Sequence, residues 1–270
     1  MSGLTDEDRF RFDLQGFLVI PSVLSAEQCQ SYSDLADEAW PEQPDDGPFR
    51  RTEFVTAWGQ PFVDLMDHDA VLPCLVELLG QRPRVDHDYC IFMKNGAGSS
   101  YLHGGPFKFP DHWYQYRDGK MRNGLTVATW NLTDAPAGAG GFACVPGSHK
   151  SNYAKFLPDD VRSFERAADY VYQPPMRAGD VLIFTEALLH GTVEWTMPHD
   201  RRTLLYKYSP ANSTWHPTPY DPGEFPSASE RQKRLMVAPS AYANEPVVQD
   251  GQPRSDEDSD EVLSNDRRVP

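Results

Sequence analysis

The stretch that decides the fold lies between residues 178 and 204. It contains three phrases in order: Ala178-Gly179-Asp180-Val181-Leu182-Ile183-Phe184, Leu188-Leu189-His190-Gly191-Thr192 and Arg201-Arg202-Thr203-Leu204. Residues 180–184 and 203–208 are short β-favouring runs bounded by turn-forming residues, which is typical of strands. His190 stands between them where a strand meets a loop. The stretch therefore predicts a β-rich second half that carries a candidate site.

Outward from this stretch, the chain divides into a helical first part and a β-rich second part. Strands are predicted at 17–20, 85–94, 125–132 and 142–145, because apolar residues alternate or cluster there between turns. Helices are predicted at 5–14, 25–40 and 67–79, the second of them opened by a capping box of Ser25 and Gln28. Residues 41–61 read as a surface loop. Beyond residue 208 the prolines predict an irregular wrap with a short helix near 229–235.

Composition limits the classes of function. Of the 270 residues 39% are hydrophobic, so a sizeable core and one domain over residues 1–250 are expected. Residues 251–270 have the composition of an acidic disordered tail. The net charge of −15 argues against a nucleic-acid partner, and no apolar run predicts a membrane span. Four scattered cysteines favour free thiols and a cytoplasmic location, while the oligomeric state stays open.

Further phrases precede the deciding stretch in a fixed order. They are Asn131-Leu132-Thr133-Asp134, Gly140-Gly141-Phe142-Ala143-Cys144-Val145 and Pro146-Gly147-Ser148-His149-Lys150. Upstream of them, His103 in Tyr101-Leu102-His103-Gly104-Gly105 also stands where strand meets loop and is followed by glycine. Over roughly residues 10–210, the ordered set resembles the phytanoyl-CoA dioxygenase family.

The resemblance implies an α+β protein with a double-stranded β-helix core, of jelly-roll or cupin-like form, and N-terminal helices packed on one sheet. It also implies Fe(II) and 2-oxoglutarate as cofactors, with His103 and His190 as metal ligands. Arg201 falls where the family's 2-oxoglutarate-binding arginine is expected. Arg202 is the alternative, and only one of the two can point into the barrel, since strand neighbours face opposite sides. Asn131 is a further candidate contact to 2-oxoglutarate.

One position departs from the family pattern. The family's metal-binding aspartate should lie two residues after His103, where this chain has Gly105. Three outcomes follow. Chloride fills the position, as in Fe(II)/2-oxoglutarate halogenases, which carry H-x-G or H-x-A; another carboxylate replaces the aspartate, with Glu186 favoured over Asp111 and Asp118; or the site has lost oxygenase chemistry and only binds metal or ligand.

Residues 106–122 combine five aromatic and four basic residues in an acidic protein. We interpret them as a lid over the pocket, suited to an aromatic or anionic small-molecule substrate, with His112, Trp113 and Tyr116 as candidate contacts. An ordinary loop whose aromatics pack on the barrel is the alternative. In the turn after residue 145, His149 is expected on the exposed side.

Overall fold

The computed structural model describes residues 3–40, 47–98, 100–106, 108–241 and 245–248. The helices are α1 (Asp6–Gln15), α2 (Ala26–Ala39), α3 (Gln60–Asp64), α4 (Leu72–Leu79), α5 (Asp159–Arg162) and α6 (Glu230–Leu235). The strands are β1 (Phe17–Ile20), β2 (Phe49–Glu53), β3 (Arg84–Met93), β4 (Ser100–His103), β5 (Tyr114–Arg117), β6 (Lys120–Asn123), β7 (Thr126–Asn131), β8 (Gly141–Cys144), β9 (Val181–Thr185), β10 (His190–Val193) and β11 (Arg201–Ser209).

Two antiparallel sheets form the core of the molecule. The larger sheet has the order β1-β9-β7-β11-β3-β2, and the smaller has the order β4-β10-β8. Residues of both sheets line a common cavity. Two facing antiparallel sheets with neighbours distant in sequence are the arrangement of a jelly roll, so the predicted double-stranded β-helix core is confirmed.

The larger sheet is buried on both faces. On its outer side Trp130 and Leu204 belong to the same buried cluster as Leu72, Leu75 and Leu78 of α4. Each fully buried leucine contributes about 1.5–3 kcal/mol. On its inner side a second cluster fills the space between the sheets, with members Val127, Phe142, Leu182, Phe184 and Leu205. The strand alternation thus separates a helix-facing side from a cavity-facing side, as predicted for N-terminal helices packed on one sheet.

The helix caps follow the sequence closely. Ser25 accepts a hydrogen bond from the backbone of Gln28, whose side chain in turn accepts one from the backbone of Ser25, so the capping box is confirmed. Thr5 caps α1 in the same way with Asp8. All four cysteines are buried and free.

Several elements differ from the prediction. The region 41–61 is not only a loop, because it contains β2 and the first two residues of α3. The predicted helix 67–79 begins only at Leu72. Residues 114–122 of the segment interpreted as a lid belong to a hairpin of β5 and β6. The tail 251–270 lies outside the described residues. In the described part of the chain, no helix is long and apolar enough to cross a membrane.

Candidate metal centre

The two predicted ligand histidines face each other across the smaller sheet. His103 ends β4, His190 begins β10, and the two residues are direct cross-strand partners. Their ring centroids are 4.4 Å apart, with the ring planes 56° from one another. Residues 87 positions apart in sequence thus present their imidazoles at one spot.

Hydrogen bonds set the tautomer of both rings. His103 Nδ1 lies 2.9 Å from the carbonyl oxygen of Tyr101, and His190 Nδ1 lies 2.8 Å from that of Leu188. Because a carbonyl can only accept, each Nδ1 must carry the proton, which leaves the Nε2 lone pair for a metal ion. Burial lowers the pKa of His190 to about 3, so this ring is neutral at working pH. Two imidazoles that both leave Nε2 without a hydrogen bond fit a metal such as iron.

The backbone after His103 has positive φ angles at two consecutive glycines. Gly104 and Gly105 have φ values of 78° and 98°. A Cβ on Gly104 would come within 2.5 Å of the Leu188 carbonyl oxygen, and one on Gly105 within 3.2 Å of Leu189 Cδ2. The two glycines therefore allow β4 to pass close to the loop before β10, in a backbone conformation that an aspartate rarely adopts.

Glu186 is the carboxylate beside the histidines. It is 3% exposed, and its Oε2 lies 3.7 Å from His190 Nε2 and 3.8 Å from His112 Nε2. Lys207 Nζ lies 2.8 Å from the other oxygen, Oε1. Burial alone would raise the pKa of Glu186, but the charge and hydrogen bond of the Lys207 ammonium group outweigh it and lower this pKa. Glu186 is therefore an ionised carboxylate next to one of the imidazoles.

The other two candidate carboxylates lie further from the histidines. Asp111 is buried and approaches His112 at 3.9 Å. Asp118 is at the tip of the exposed β5-β6 hairpin, with 82% of its side chain exposed. Within the described residues, no group of three or more His, Cys, Asp or Glu side chains is close enough to hold a metal ion as the structure stands. The centre thus consists of two converging imidazoles with Glu186 at their edge.

Arg201 lies in the same cavity. Its side chain is buried on β11, beside Gly141, where a Cβ would come within 2.6 Å of Arg201 Nε. Burial lowers the pKa of Arg201 to about 10, which still leaves it charged at neutral pH. Its Nη1 is 3.6 Å from Met93 Sδ, while its Nε has no hydrogen-bond partner in the described part of the chain. A buried, undersatisfied guanidinium fits a carboxylate ligand.

Arg202 points to the opposite side of β11. Its Nη1 lies 2.8 Å from Asp37 Oδ2 and donates to the carbonyl oxygen of Ser33. Its guanidinium also stacks over Phe92, 4.9 Å from the ring centroid. Of the two arginines, only Arg201 therefore faces the histidines' cavity.

The cavity has a volume of about 280 Å³ and runs between the two sheets. Besides His103 and His190, its lining includes three cations, Arg51, Arg201 and Lys207. No carboxylate side chain belongs to this lining among the described residues. In a protein with a net charge of −15, the cavity is a local cationic region suited to anions.

Four other predicted site residues do not line this cavity. Asn131 is buried, and its amide donates to the carbonyl oxygen of Asp180 at 3.1 Å. His112 is buried against Trp215 and near Glu186. Trp113 is partly buried before β5, and Tyr116 on β5 is 65% exposed. Their roles as cofactor or substrate contacts stay predictions.

The expected exposure of His149 is wrong. This residue is 1% exposed, because α1 and the β5-β6 hairpin cover the turn that carries it. Its Nε2 lies 3.1 Å from the Asp13 carbonyl oxygen, and its ring packs edge-on against Tyr114. Turn composition predicts a reversal of the chain but not what packs over it.

Sequence reasoning missed Lys207 and Arg51. Lys207 lies six residues after Arg201 on β11, an even spacing that places both on one face of a strand, so this signal was present. Arg51 lies on the edge strand β2, and the proline and charge content of its surroundings hid the strand. Its guanidinium stacks over Tyr89 of β3, 4.3 Å from the ring centroid.

Comparison with solved structures finds similar folds. HygX from Streptomyces hygroscopicus, with nickel and 2-oxoglutarate bound, is 26% identical with a TM-score of 0.71, covering 79% of this chain and 91% of HygX. HygX with nickel, 2-oxoglutarate and hygromycin B is 27% identical with a TM-score of 0.69, covering 79% of this chain and 90% of HygX. HygX has also been solved with iron bound. The 2-oxoglutarate-dependent epimerase SnoN from nogalamycin biosynthesis, 18% identical with a TM-score of 0.59 over 77% of this chain and 83% of SnoN, shares the fold.

One of two sequence comparisons identifies the family of this chain. A search of curated proteins found no match. The family model described as phytanoyl-CoA dioxygenase matches residues 12–203, a range that contains both histidines, Glu186 and Arg201. This chain therefore belongs to the phytanoyl-CoA dioxygenase family.

Proposed function

We propose that this protein is a non-heme Fe(II)/2-oxoglutarate-dependent oxygenase that acts on an unactivated C–H bond of a small molecule. The observation that carries the proposal is the pairing of His103 and His190, with both Nε2 atoms free, in one cavity with the buried guanidinium of Arg201. Support comes from HygX, which binds iron, and nickel together with 2-oxoglutarate.

Each of these residues has a distinct role. His103 and His190 would hold the metal through Nε2, and their Nδ1 hydrogen bonds keep the rings in the ligating orientation. Arg201 would bind the distal carboxylate of 2-oxoglutarate, because a guanidinium can grip a carboxylate bidentately. Bound Fe(II) and 2-oxoglutarate together supply the oxidising chemistry with dioxygen, and the protein's task is to place the substrate carbon beside them.

Gly105 leaves two reactions to distinguish. If chloride occupies the position that the family's aspartate would take, the product is halogenated. If a protein carboxylate or water occupies it, the product is hydroxylated. A protein that has lost oxygenase chemistry and only binds metal or ligand is the third possibility, and absence of the Fe(II)/2-oxoglutarate band would favour it.

The cavity mouth supports a small-molecule substrate that is aromatic or anionic. Phe49 and Arg51 of β2 line this mouth and are exposed, and Tyr89 lies beside them on β3. An apolar ring next to a cation suits a molecule with an aromatic body and an acidic group. HygX, which has been solved with hygromycin B, is a similar protein that binds a small molecule.

The test is anaerobic loading with Fe(II) and 2-oxoglutarate, followed by optical spectroscopy. We expect a metal-to-ligand charge-transfer band that disappears in His103→Ala and His190→Ala but persists in His199→Ala, a histidine outside the cavity. Repeating the titration with chloride distinguishes halogenation, in which the band shifts, from hydroxylation. Absence of the band in the wild-type protein would contradict the proposal.

A further inference from the structure

The environment of Glu186 is unusual for a glutamate that only stabilises the fold. Its side chain is 3% exposed, and one oxygen is paired with Lys207. The other oxygen, Oε2, lies between His190 Nε2 and His112 Nε2, too far from either for a hydrogen bond. A buried carboxylate oxygen is thus directed at the free nitrogen of a predicted metal ligand.

The separation of 3.7 Å between Glu186 Oε2 and His190 Nε2 suits two ligands of one ion. With metal–ligand distances of about 2.1 Å, two donors on the same ion are about 3 Å apart at right angles and at most about 4.2 Å apart. A side-chain shift of less than about 1 Å would bring Oε2 to the right-angle separation. The carboxylate is therefore within reach of an ion held by His190.

The loop between β9 and β10 gives Glu186 a defined position. Its backbone N–H donates to the carbonyl oxygen of Leu125, and the following turn is closed by a hydrogen bond from Leu188 to Thr185. The Leu188 carbonyl oxygen then accepts the hydrogen bond that orients His190. Glu186 and His190 consequently belong to one short, hydrogen-bonded unit.

Lys207 controls the rotamer and charge of this carboxylate. Lys207 lies on β11 of the larger sheet, and its ammonium group binds Oε1 at a distance of 2.8 Å. This contact leaves Oε2 on the side of the histidines. An unpaired buried carboxylate would cost several kcal/mol, so the lysine also allows Glu186 to remain charged in the protein interior. Lys207 is therefore a positioning residue for Glu186.

From this geometry we infer that Glu186, positioned by Lys207, is the metal-binding carboxylate that replaces the aspartate missing at Gly105. The inference rests on the proposed function and refines it. Because the protein itself supplies a third ligand, chloride has no reserved position, and the reaction at this site is hydroxylation. Gly105 then allows β4 to approach the 186–190 loop closely, and it does not make room for a halide ligand.

The experiment uses three proteins: the wild type, the double variant Glu186→Gln/Lys207→Met, and Asp111→Asn. The double variant removes both charges of the ion pair, so that no buried charge is left alone. Asp111→Asn is the matched control, because Asp111 is also buried and also near His112 but does not contact His190. Circular dichroism melts establish that each protein is folded.

Two measurements are made on each protein. The first is Mn(II) affinity without 2-oxoglutarate, by isothermal titration calorimetry. We expect the double variant to lose at least about tenfold and Asp111→Asn to stay within about twofold of the wild type. The second is the Fe(II)/2-oxoglutarate charge-transfer band, which should be indifferent to chloride in the wild type and in Asp111→Asn but shift with chloride in the double variant, where the ligand position is open.

The outcomes separate the inference from the proposed function. A wild-type band that shifts with chloride, or a folded double variant that binds Mn(II) as tightly as the wild type, overturns the role of Glu186 and leaves the oxygenase proposal standing. A wild-type protein that binds neither Mn(II) nor Fe(II) with 2-oxoglutarate overturns both. If the double variant does not fold, Glu186→Asp, which keeps the charge but shortens the side chain, takes its place with the same expected loss of Mn(II) affinity.

Discussion

The two faces of β11 carry similar side chains with opposite uses. On the cavity face, Arg201 is buried with an unpartnered Nε among the described residues, and Lys207 is paired with Glu186. On the helix face, Arg202 is paired with Asp37 and stacked on Phe92, while the hydroxyl of Tyr206 donates to the carbonyl oxygen of Phe62. On this strand the unpartnered guanidinium nitrogen lies on the cavity face, whereas the polar groups named on the helix face are satisfied within the protein.

The strongest test of this comparison is Arg201→Gln against Arg202→Gln. Arg201→Gln should weaken 2-oxoglutarate binding to the Mn(II) protein by about 10-fold to 150-fold, since a charge-assisted contact of about 1.5–3 kcal/mol is lost. Arg202→Gln should change it by less than about threefold, because the guanidinium of Arg202 lies on the helix face and does not line the cavity. Calorimetric titration measures both. Equal losses of 2-oxoglutarate affinity in the two variants would contradict the conclusion that only Arg201 faces the cavity.

Acid should destabilise the protein through its buried histidines, both near His190 and at His149. Burial lowers the pKa of His112 to about 4 and that of His190 to about 3, against about 6.5 in an unfolded chain. Between pH 6.5 and 4 the unfolded chain binds more protons, so the free energy of unfolding should fall as the pH falls. Asp111, whose pKa burial raises to about 6, opposes this trend below pH 6.

Urea unfolding of the metal-free protein at a series of pH values measures the effect. His112→Asn should flatten the decline, whereas the same change at His199 should leave it in place. A free energy of unfolding that rises between pH 6.5 and 4 would contradict the burial of neutral histidines.

On the helix face, Tyr206→Phe should lower the free energy of unfolding by about 1–2 kcal/mol, because the Phe62 carbonyl oxygen loses its buried donor at 2.7 Å. The affinity for 2-oxoglutarate should not change. Urea unfolding and calorimetry on the same sample provide both numbers. A loss of 2-oxoglutarate affinity without a loss of stability would mean that the two faces are not independent.

The smallest effect is expected at the cavity mouth. There, two neighbouring arginines of β2 lie on opposite faces of the strand, as Arg201 and Arg202 do on β11. Arg51 borders the cavity, while Arg50 stacks on Trp40, 4.2 Å from its ring centroid. Arg51→Gln should weaken the binding of 4-phenylbutyrate about twofold to fivefold, as for an exposed ion pair. Arg50→Gln should not.

Saturation-transfer NMR with 4-phenylbutyrate and its amide, on the Mn(II)/2-oxoglutarate protein, checks this prediction. The wild type should prefer the acid. Equal binding of acid and amide would argue against an anionic substrate without affecting the metal centre.

Much of the fold was predictable because its signals are local. Apolar alternation identified β3, and β-favouring runs between turns identified β7, β9 and β11. Capping residues identified α1 and α2, and all of these signals act within a few residues. The elements that were missed are short or polar. β2, β4, β5, β6 and β10 have four or five residues each, and their pairing partners rather than their composition make them strands.

By itself, the sequence indicated the protein family, the helices and strands with clear local signals, the two candidate ligand histidines and the pair of arginines that follows them. The tertiary structure alone decided that Arg201 rather than Arg202 faces the cavity, that His149 is buried, and that Glu186 lies beside His190 and is held by Lys207. The physical reason is range. Caps and alternation depend on neighbours in the chain, whereas an ion pair between residues 186 and 207 depends on how strands from two sheets pack around one cavity.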